Sequence, residues 1–257
     1  LNITPDSFHG QSRYETVESA TKEAISMAEN GADWIDVGGE STRPGSRAVP
    51  PREEESRVVP VIQSIRDELP DIGISIDTRR SAVASASLQA GADMINDVSS
   101  LGDSGMAGVI VEYGCPVCLM HMKGTPENMQ KNPRYKNELL DIYDFFEKKI
   151  KLLRLKGIKH NKIILDPGIG FGKNLKHNMS LIRNISIFHS LGFPILVGNS
   201  RKRFIKELSG KNDSKFRNGG TIASSIYLMM QGVQILRIHD VNETIQGLKI
   251  FKNIINN

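Results

Sequence analysis

Short apolar runs recur along this chain, and each stops at a polar residue suited to chemistry. The stops are Asn2, Asp36, Asp77, Asn96, His121, Asp166, Ser200 and the pair Arg237/His239. Ile74 to Ile76, Val117 to Met120, Ile163 to Leu165 and Ile195 to Val197 read as Val/Ile/Leu-rich runs, the pattern of parallel strands buried on both faces. Between such runs lie Val17 to Asn30, Ser81 to Ala90 and Asn137 to Lys156, with apolar residues at helical spacing. Gly31, Gly91, Gly192 and Gly232 each follow a helical stretch and precede a strand, so each fits the left-handed residue that closes a helix. Helix, glycine, strand, polar end is the repeating β/α unit.

The spacing predicts strands near 1–3, 34–38, 73–77, 94–97, 116–121, 163–166, 194–198 and 235–238, with helices between them and one after the last. The expected fold class is therefore α/β, an eight-stranded parallel (β/α)8 barrel, and 257 residues suit a single such domain over 1–257. Leu1-Asn2-Ile3 reads as the tail of a strand, so the first strand is expected to be truncated and a longer parent chain could carry a fused upstream domain. An open doubly wound sheet is the alternative, but it concentrates function at one switch point rather than at nearly every strand end. Three connections, Thr4 to Arg13, Gly39 to Arg52 and Met122 to Tyr135, are long enough to serve as lids or ligand walls.

Composition narrows the function classes. Lys and Arg total 33 against 29 acidic residues, a net charge of +4 that favours anionic ligands but is too small to indicate nucleic acid. No basic block interleaves with aromatic residues as a single-strand binding platform requires. No apolar run approaches the roughly 20 residues that span a bilayer, so no membrane partner and a cytoplasmic setting are expected. Cys115-Pro-Val-Cys118 leads into an apolar strand, not a helix, and lacks a second cysteine pair, so buried or half-buried thiols are expected in place of a redox or zinc site.

Asp77, Asn96 and Asp166 end apolar runs, where partial burial obliges them to find partners. Two carboxylates and an amide can bind the edge of a flat heterocycle such as a 2-amino-4-oxo pyrimidine, since a carboxylate accepts from an N–H pair and an amide both donates and accepts. Individually, each could instead cap a helix or pair with an arginine. Arg237 and His239, two apart in a strand, are expected on one face. Ser200-Arg201-Lys202-Arg203 follows the seventh strand at an expected helix start, a frequent anion site of barrels. The alternative places Arg201 and Arg203 on a solvated helix face. Asp166-Pro-Gly-Ile-Gly-Phe-Gly-Lys173 fails the P-loop template at Pro167 and Asn174 and the dinucleotide fingerprint at Lys173, leaving a flexible backbone close to a ligand as the expectation.

Taken in order, Asn2-Ile-Thr-Pro-Asp-Ser-Phe8, Asp36-Val-Gly-Gly-Glu-Ser-Thr-Arg-Pro-Gly45, Asp77-Thr78, Ile95-Asn-Asp97, Met120-His-Met122, Gly124-Thr-Pro126, Asp166-Pro-Gly168, Ser200-Arg-Lys202 and Arg237-Ile-His239 resemble the dihydropteroate synthases of the pterin-binding enzyme family. The resemblance covers essentially the whole chain. It implies a transferase of folate biosynthesis that condenses 6-hydroxymethyl-7,8-dihydropterin diphosphate with 4-aminobenzoate. It implies catalytic roles for Asp77, Asp166, Lys202, Arg237 and His239, with Asp77, Asn96, Asp166 and Lys202 on the pterin. Asn2, Arg237 and His239, with Mg²⁺, would hold the diphosphate, Asn2 as the metal ligand. Thr42, Arg43 and Pro44 would close over the site, Phe8, Phe171 and Lys202 would frame the aminobenzoate, and Met120, Gly170 and Arg203 would also contact substrate. The family is further a sulfonamide target and a homodimer. Two features depart from its pattern: the first loop reads Ser7-Phe8-His9-Gly10, and Arg203 stands where some relatives carry a small hydroxyl residue. Folate-dependent methyl-transfer modules share the acidic pterin pocket but are not expected to combine Ser41-Thr-Arg-Pro-Gly45 with Ser200-Arg-Lys202. A non-catalytic relative is the third reading, and turnover decides it.

Overall fold

Apolar runs become strands and amphipathic stretches become helices over residues 1–4, 13–41, 45–46 and 48–256, which the computed structural model describes. Two units result, Leu1–Met120 with Leu152–Ile163, and His121–Lys151 with Ile164–Asn257.

The first unit runs α1 (Arg13–Glu29), β1 (Trp34–Gly38), α2 (Pro51–Glu68), β2 (Gly73–Asp77), α3 (Ser81–Gln89), β3 (Met94–Asp97), α4 (Met106–Tyr113) and β4 (Val117–Met120). Neighbours in that strand order pair in parallel, and Asn2 adds an isolated parallel bridge to Gly38. The register sets Gly38 beside Asp77 and Asp77 beside Asn96, so carboxylate and amide reach the same carboxyl-terminal edge. Ile74, Ile76, Ile95, Val117 and Leu119 have no exposed surface, as strands covered on both faces require.

Helix α2 shows why the sequence folds locally as it does. Pro51 starts it with φ already helical, and Glu53 and Glu54 complement the positive end of its dipole. Val58, Val61, Ile62 and Ile65 follow at helical spacing and are fully buried. Each such side chain contributes about 1.5–3 kcal/mol by leaving water. Gly39 allows the chain leaving β1 to pass over this helix, since a Cβ there would lie 2.8 Å from Val58 Cγ1.

The second unit holds the body of α5 (Glu138–Leu155) and of β5 (Ile163–Asp166), then α6 (Leu175–Arg183), β6 (Leu196–Val197), α7 (Arg203–Ser209), α8 (Asn218–Met230), β7 (Ile235–Leu236) and α9 (Val241–Asn256). The His121 N–H donates to Asp166 O at 2.8 Å, Leu165 bridges Ile195, and β6 pairs with β7, all in parallel sense where paired as strands. Phe146 and Phe188 meet edge-on at 5.9 Å in its core, both fully buried.

Strands β6 and β7 are shorter than the apolar runs predict. Pro194 has no N–H to give a ladder, and β7 ends at Leu236, so Arg237 and His239 stand just beyond it and not within a strand. The four helix-closing glycines do take the left-handed conformation, with φ of 98° at Gly31, 113° at Gly91, 81° at Gly192 and 82° at Gly232. Cys115 and Cys118 are buried and form no disulfide, as the apolar surroundings predict. Among the described residues no helix is long and apolar enough to cross a membrane.

Candidate active site

In the first unit, Asp77 and Asn96 are nearly buried, at 6% and 4% exposure. Asn96 Nδ2 lies 3.4 and 3.5 Å from the two carboxylate oxygens of Asp36, which also accepts from Ser75 Oγ. The amide is thereby oriented, and Asn96 Oδ1 is left buried without a hydrogen-bond partner among the described residues. Such an acceptor costs free energy unless a ligand donor meets it. Asp36, one of the polar stops in the sequence, is thus the carboxylate that orients this amide. Met120 closes β4 at 3% exposure, its carbonyl accepting from Ser100 Oγ at 2.8 Å.

Beside these strand ends sits a charge network. Glu40 accepts from Arg79 Nε at 2.8 Å and from Arg80 Nη2 at 3.0 Å, while the fully buried Glu54 pairs with Arg80 Nη1 and accepts from Thr78 Oγ1 at 2.7 Å. Burial pushes the Glu54 pKa up against these partners; in Glu40 burial acts the same way but Arg79, the Val49 N–H and Arg80 outweigh it and hold the pKa low. The network anchors the segment that runs into Ser41. Thr42, Arg43 and Pro44 beyond it, and Phe8 and His9 in the first loop, lie outside the described residues.

In the second unit, Asp166 ends β5 at 6% exposure and accepts from the Gly168 N–H at 2.8 Å. Desolvation raises its pKa, opposed by that N–H and by the cations Lys202, Lys173 and Arg237. The turn that follows is held by hydrogen bonds from several elements. Gly168, Gly170 and Gly172 hold φ of 70°, 85° and 64°, and the peptides between them are clamped from several elements. Gly170 N donates to Asn178 Oδ1 at 2.7 Å, Gln130 donates to Gly170 O at 2.6 Å, and Tyr135 Oη donates to Gly172 O at 2.9 Å. Phe171, 8% exposed, carries the Lys202 ammonium 4.2 Å from its ring centroid, and Gly170 lets the Lys202 stem pass where a Cβ would meet Cδ at 3.4 Å.

Arg237 is held by its N–H to Val197 O at 3.0 Å. His239 is held by Ser200 Oγ, at 3.2 Å from its backbone nitrogen and 2.9 Å from Nδ1. Desolvation and the Arg237 and Arg201 cations lower the His239 pKa, so its imidazole is neutral at pH 7. Its edge remains open to solvent. Arg201 does not lie on a solvated helix face, the alternative placement for it. It is a left-handed residue, φ 56°, paired through two nitrogens with Asp240, and its carbonyl accepts from Arg217. Arg203, the first residue of α7, is exposed and pairs with Glu207. The sequence also gave no sign of the buried pair Lys173 and His121, because lysine in a glycine turn ordinarily faces solvent.

No group of three or more His, Cys, Asp or Glu side chains placed to hold a metal occurs among the described residues.

Comparison with known proteins identifies the frame in which these residues sit. The family described as pterin binding enzyme matches residues 1–239. The chain is 42% identical over 250 residues to the dihydropteroate synthase of Escherichia coli K12, covering 97% of this chain and 88% of that one. It superposes on the Yersinia pestis dihydropteroate synthase, solved with a sulfonamide drug complex, with a TM-score of 0.94 and 42% identity, over 100% of this chain and 93% of that one. Against the Xanthomonas albilineans enzyme in complex with 7,8-dihydropteroate the TM-score is 0.90 at 35% identity, over 99% and 91%. The fold is the parallel (β/α)8 class that the strand pattern predicts. Family match, identity across nearly the full length and structural superposition agree: the chain belongs to the pterin-binding enzyme family, among its dihydropteroate synthases.

Proposed function

We propose a division of labour for dihydropteroate synthesis in which Asp77, Asn96 and Asp166 hold the pterin and Lys202, Arg237 and His239 face the reacting end. The reaction joins 4-aminobenzoate to 6-hydroxymethyl-7,8-dihydropterin diphosphate and releases diphosphate. The observation that carries the assignment is the nearly buried Asp166, a carboxylate with raised pKa beside the cations Lys202, Lys173 and Arg237. A carboxylate kept there answers the N–H pair of a pterin and stabilises positive charge developing on it.

The C–O bond to diphosphate breaks with its electron pair leaving on oxygen, and the arylamine nitrogen forms a bond to the exocyclic methylene carbon. The amine proton then passes to solvent. Arg237 and neutral His239 stabilise the departing charge as donors, and Lys202, set over the Phe171 ring, orients the arylamine against that platform. An aromatic amine is already neutral and nucleophilic near pH 7, so no covalent enzyme intermediate is needed. Mg²⁺, when bound by the diphosphate and Asn2, supplies further charge neutralisation at the leaving group. By the family resemblance, Thr42, Arg43 and Pro44 would close over the substrates, Phe8 would frame the arylamine, and Met120 and Gly170 would contact substrate. A single pterin-binding domain over 1–257, a homodimer and a cytoplasmic setting follow from the family resemblance.

The test is diphosphate release with dihydropterin diphosphate, Mg²⁺ and 4-aminobenzoate, omitting each in turn, with the pterin product identified by mass. Dihydropteroate formed only in the complete mixture supports the reading. Tight pterin binding without coupled product would transfer the chain to the methyl-transfer or non-catalytic class.

A further inference from the structure

The reaction as assigned leaves one ionisable side chain unused at the centre of the second unit. Lys173 is 2% exposed, yet its ammonium has a full set of acceptors: His121 Nδ1 at 3.0 Å, His121 O at 3.2 Å and Phe171 O at 2.9 Å. An ammonium carries three protons and no lone pair, so these partners saturate it. His121 Nδ1 can then only accept, which places the imidazole proton on Nε2.

Both ends of this arrangement bear on the site. His121 N donates to Asp166 O, and Phe171 carries the ring under Lys202. Helix α6 starts immediately after Lys173 with a reciprocal cap, in which Asn174 Oδ1 accepts from the His177 N–H at 2.9 Å, so the main chain on that side is also fixed. The turn is seated against the Lys123 backbone at Gly172. The charged and titratable groups facing Lys173 are Asp166, Lys202 and His121, with Lys123 and His177 beyond. Desolvation, opposed by Asp166 and reinforced by Lys202, lowers the Lys173 pKa to about 7, and desolvation together with the Lys173 charge lowers that of His121 to about 2. At pH 6 the pair is therefore an ammonium and a neutral imidazole.

We propose that Lys173 is a positioning residue for the reaction: a buried cation that pins the Asp166-to-Lys173 turn to His121, holds the Phe171 platform in place and fixes His121 as its Nε2–H tautomer. It touches neither substrate; it acts through Asp166 and Phe171, and so rests on the roles proposed for those residues. Its loss would leave two carbonyls and one ring nitrogen without their donor, and the turn would re-settle by a fraction of an ångström or more. Displacement on that scale costs on the order of tenfold to a hundredfold in rate.

Two measurements test this. Nitrogen-15 NMR of histidine-labelled wild type at pH 6, assigned with His121→Gln, is expected to show His121 with the proton on Nε2; a proton on Nδ1 would overturn the proposal without touching the functional reading. Lys173→Met is expected to remain folded, to lose that tautomer preference, and to lower kcat/KM by about ten- to a hundredfold with an increase in KM for 4-aminobenzoate. A folded variant with unchanged kinetic constants for both substrates would sink the positioning role. Should Lys173→Met not fold, Lys173→Gln, which retains an uncharged donor for one carbonyl, carries the same expectation with a smaller loss. Wild type that makes no dihydropteroate would instead overturn the functional reading and leave the tautomer result standing.

Discussion

Replacing Asp166 by Asn separates the electrostatics of the site from its architecture. The change is isosteric, and the Asn oxygen can still accept from the Gly168 N–H that now reaches Asp166 Oδ1 at 2.8 Å. Folding therefore loses little. The buried carboxylate is costly to ionise, as its raised pKa shows, and its removal trades that cost against lost attraction to Lys202, Lys173 and Arg237. The net should stay within about 1 kcal/mol, a Tm change of a few degrees. Turnover should suffer far more. A carboxylate facing the pterin N–H pair makes two charge-assisted hydrogen bonds of about 1.5–3 kcal/mol each, and Asn turns one of them into a clash of donors. The sum, about 3–6 kcal/mol, predicts a fall of roughly a hundredfold to ten-thousandfold in kcat/KM for the pterin substrate. The assay is dihydropteroate formation at varied pterin and fixed 4-aminobenzoate, alongside thermal unfolding. A folded Asp166→Asn enzyme within about threefold of wild type would refute the placement of Asp166 on the pterin.

Other consequences are as open to measurement. Gly172→Ala adds a left-handed penalty of about 1–2 kcal/mol to a clash worth about 1–3 kcal/mol, because its Cβ would lie 2.3 Å from Lys123 O; a Tm lowered by less than a couple of degrees would contradict the seating of the turn. Arg80→Met strands the buried Glu54 and should cost about 3–5 kcal/mol, with Glu54→Gln in the same chain restoring part of it; equal unfolding free energies for single and double variants would argue against the network. The pKa of Lys173 is depressed from 10.5 to about 7 by folding, so the unfolded chain binds the extra proton between those values and wild-type stability gains from this site as pH rises through that window. Urea unfolding at pH 7 and pH 9.5 should show that gain in wild type and lack it in Lys173→Met, and parallel pH responses of the two proteins would rule it out.

How far the site was legible beforehand depends on the range of the interactions that build it. Asp77, Asn96 and Asp166 could be found because a polar stop after an apolar run is a local signal, and the parallel register then sets Asp77 beside Asn96. The glycine at each helix end is equally local. Lys173 was hidden because its burial is imposed by His121, 52 residues away, and by clamps from Gln130 and Tyr135 on the same turn. The surroundings of Arg201 are long-range too: its partner Asp240 lies 39 residues on. Glu54 in the first turn of α2 looks like an ordinary complement to the helix dipole, and only Arg80 and Thr78, reached through a different strand, show it to be the interior half of an ion pair. The shortened β6 follows from Pro194, a local cue that an apolar run masks.

The glycine turn after Asp166 also constrains what heredity can do with this enzyme. One base change in a glycine codon, when it replaces glycine by another amino acid, yields Ala, Ser, Cys, Arg, Val, Asp, Glu or Trp, and every one of them carries a Cβ. At Gly172 that atom enters the Lys123 carbonyl, and at Gly170 it meets a left-handed φ of 85° that side chains rarely adopt. Single-step variation at these two glycines is thus strained. Heritable change in discrimination between an arylamine and its mimics must be sought in side chains that surround the turn, such as Lys202 and Phe171, or in the loops outside it.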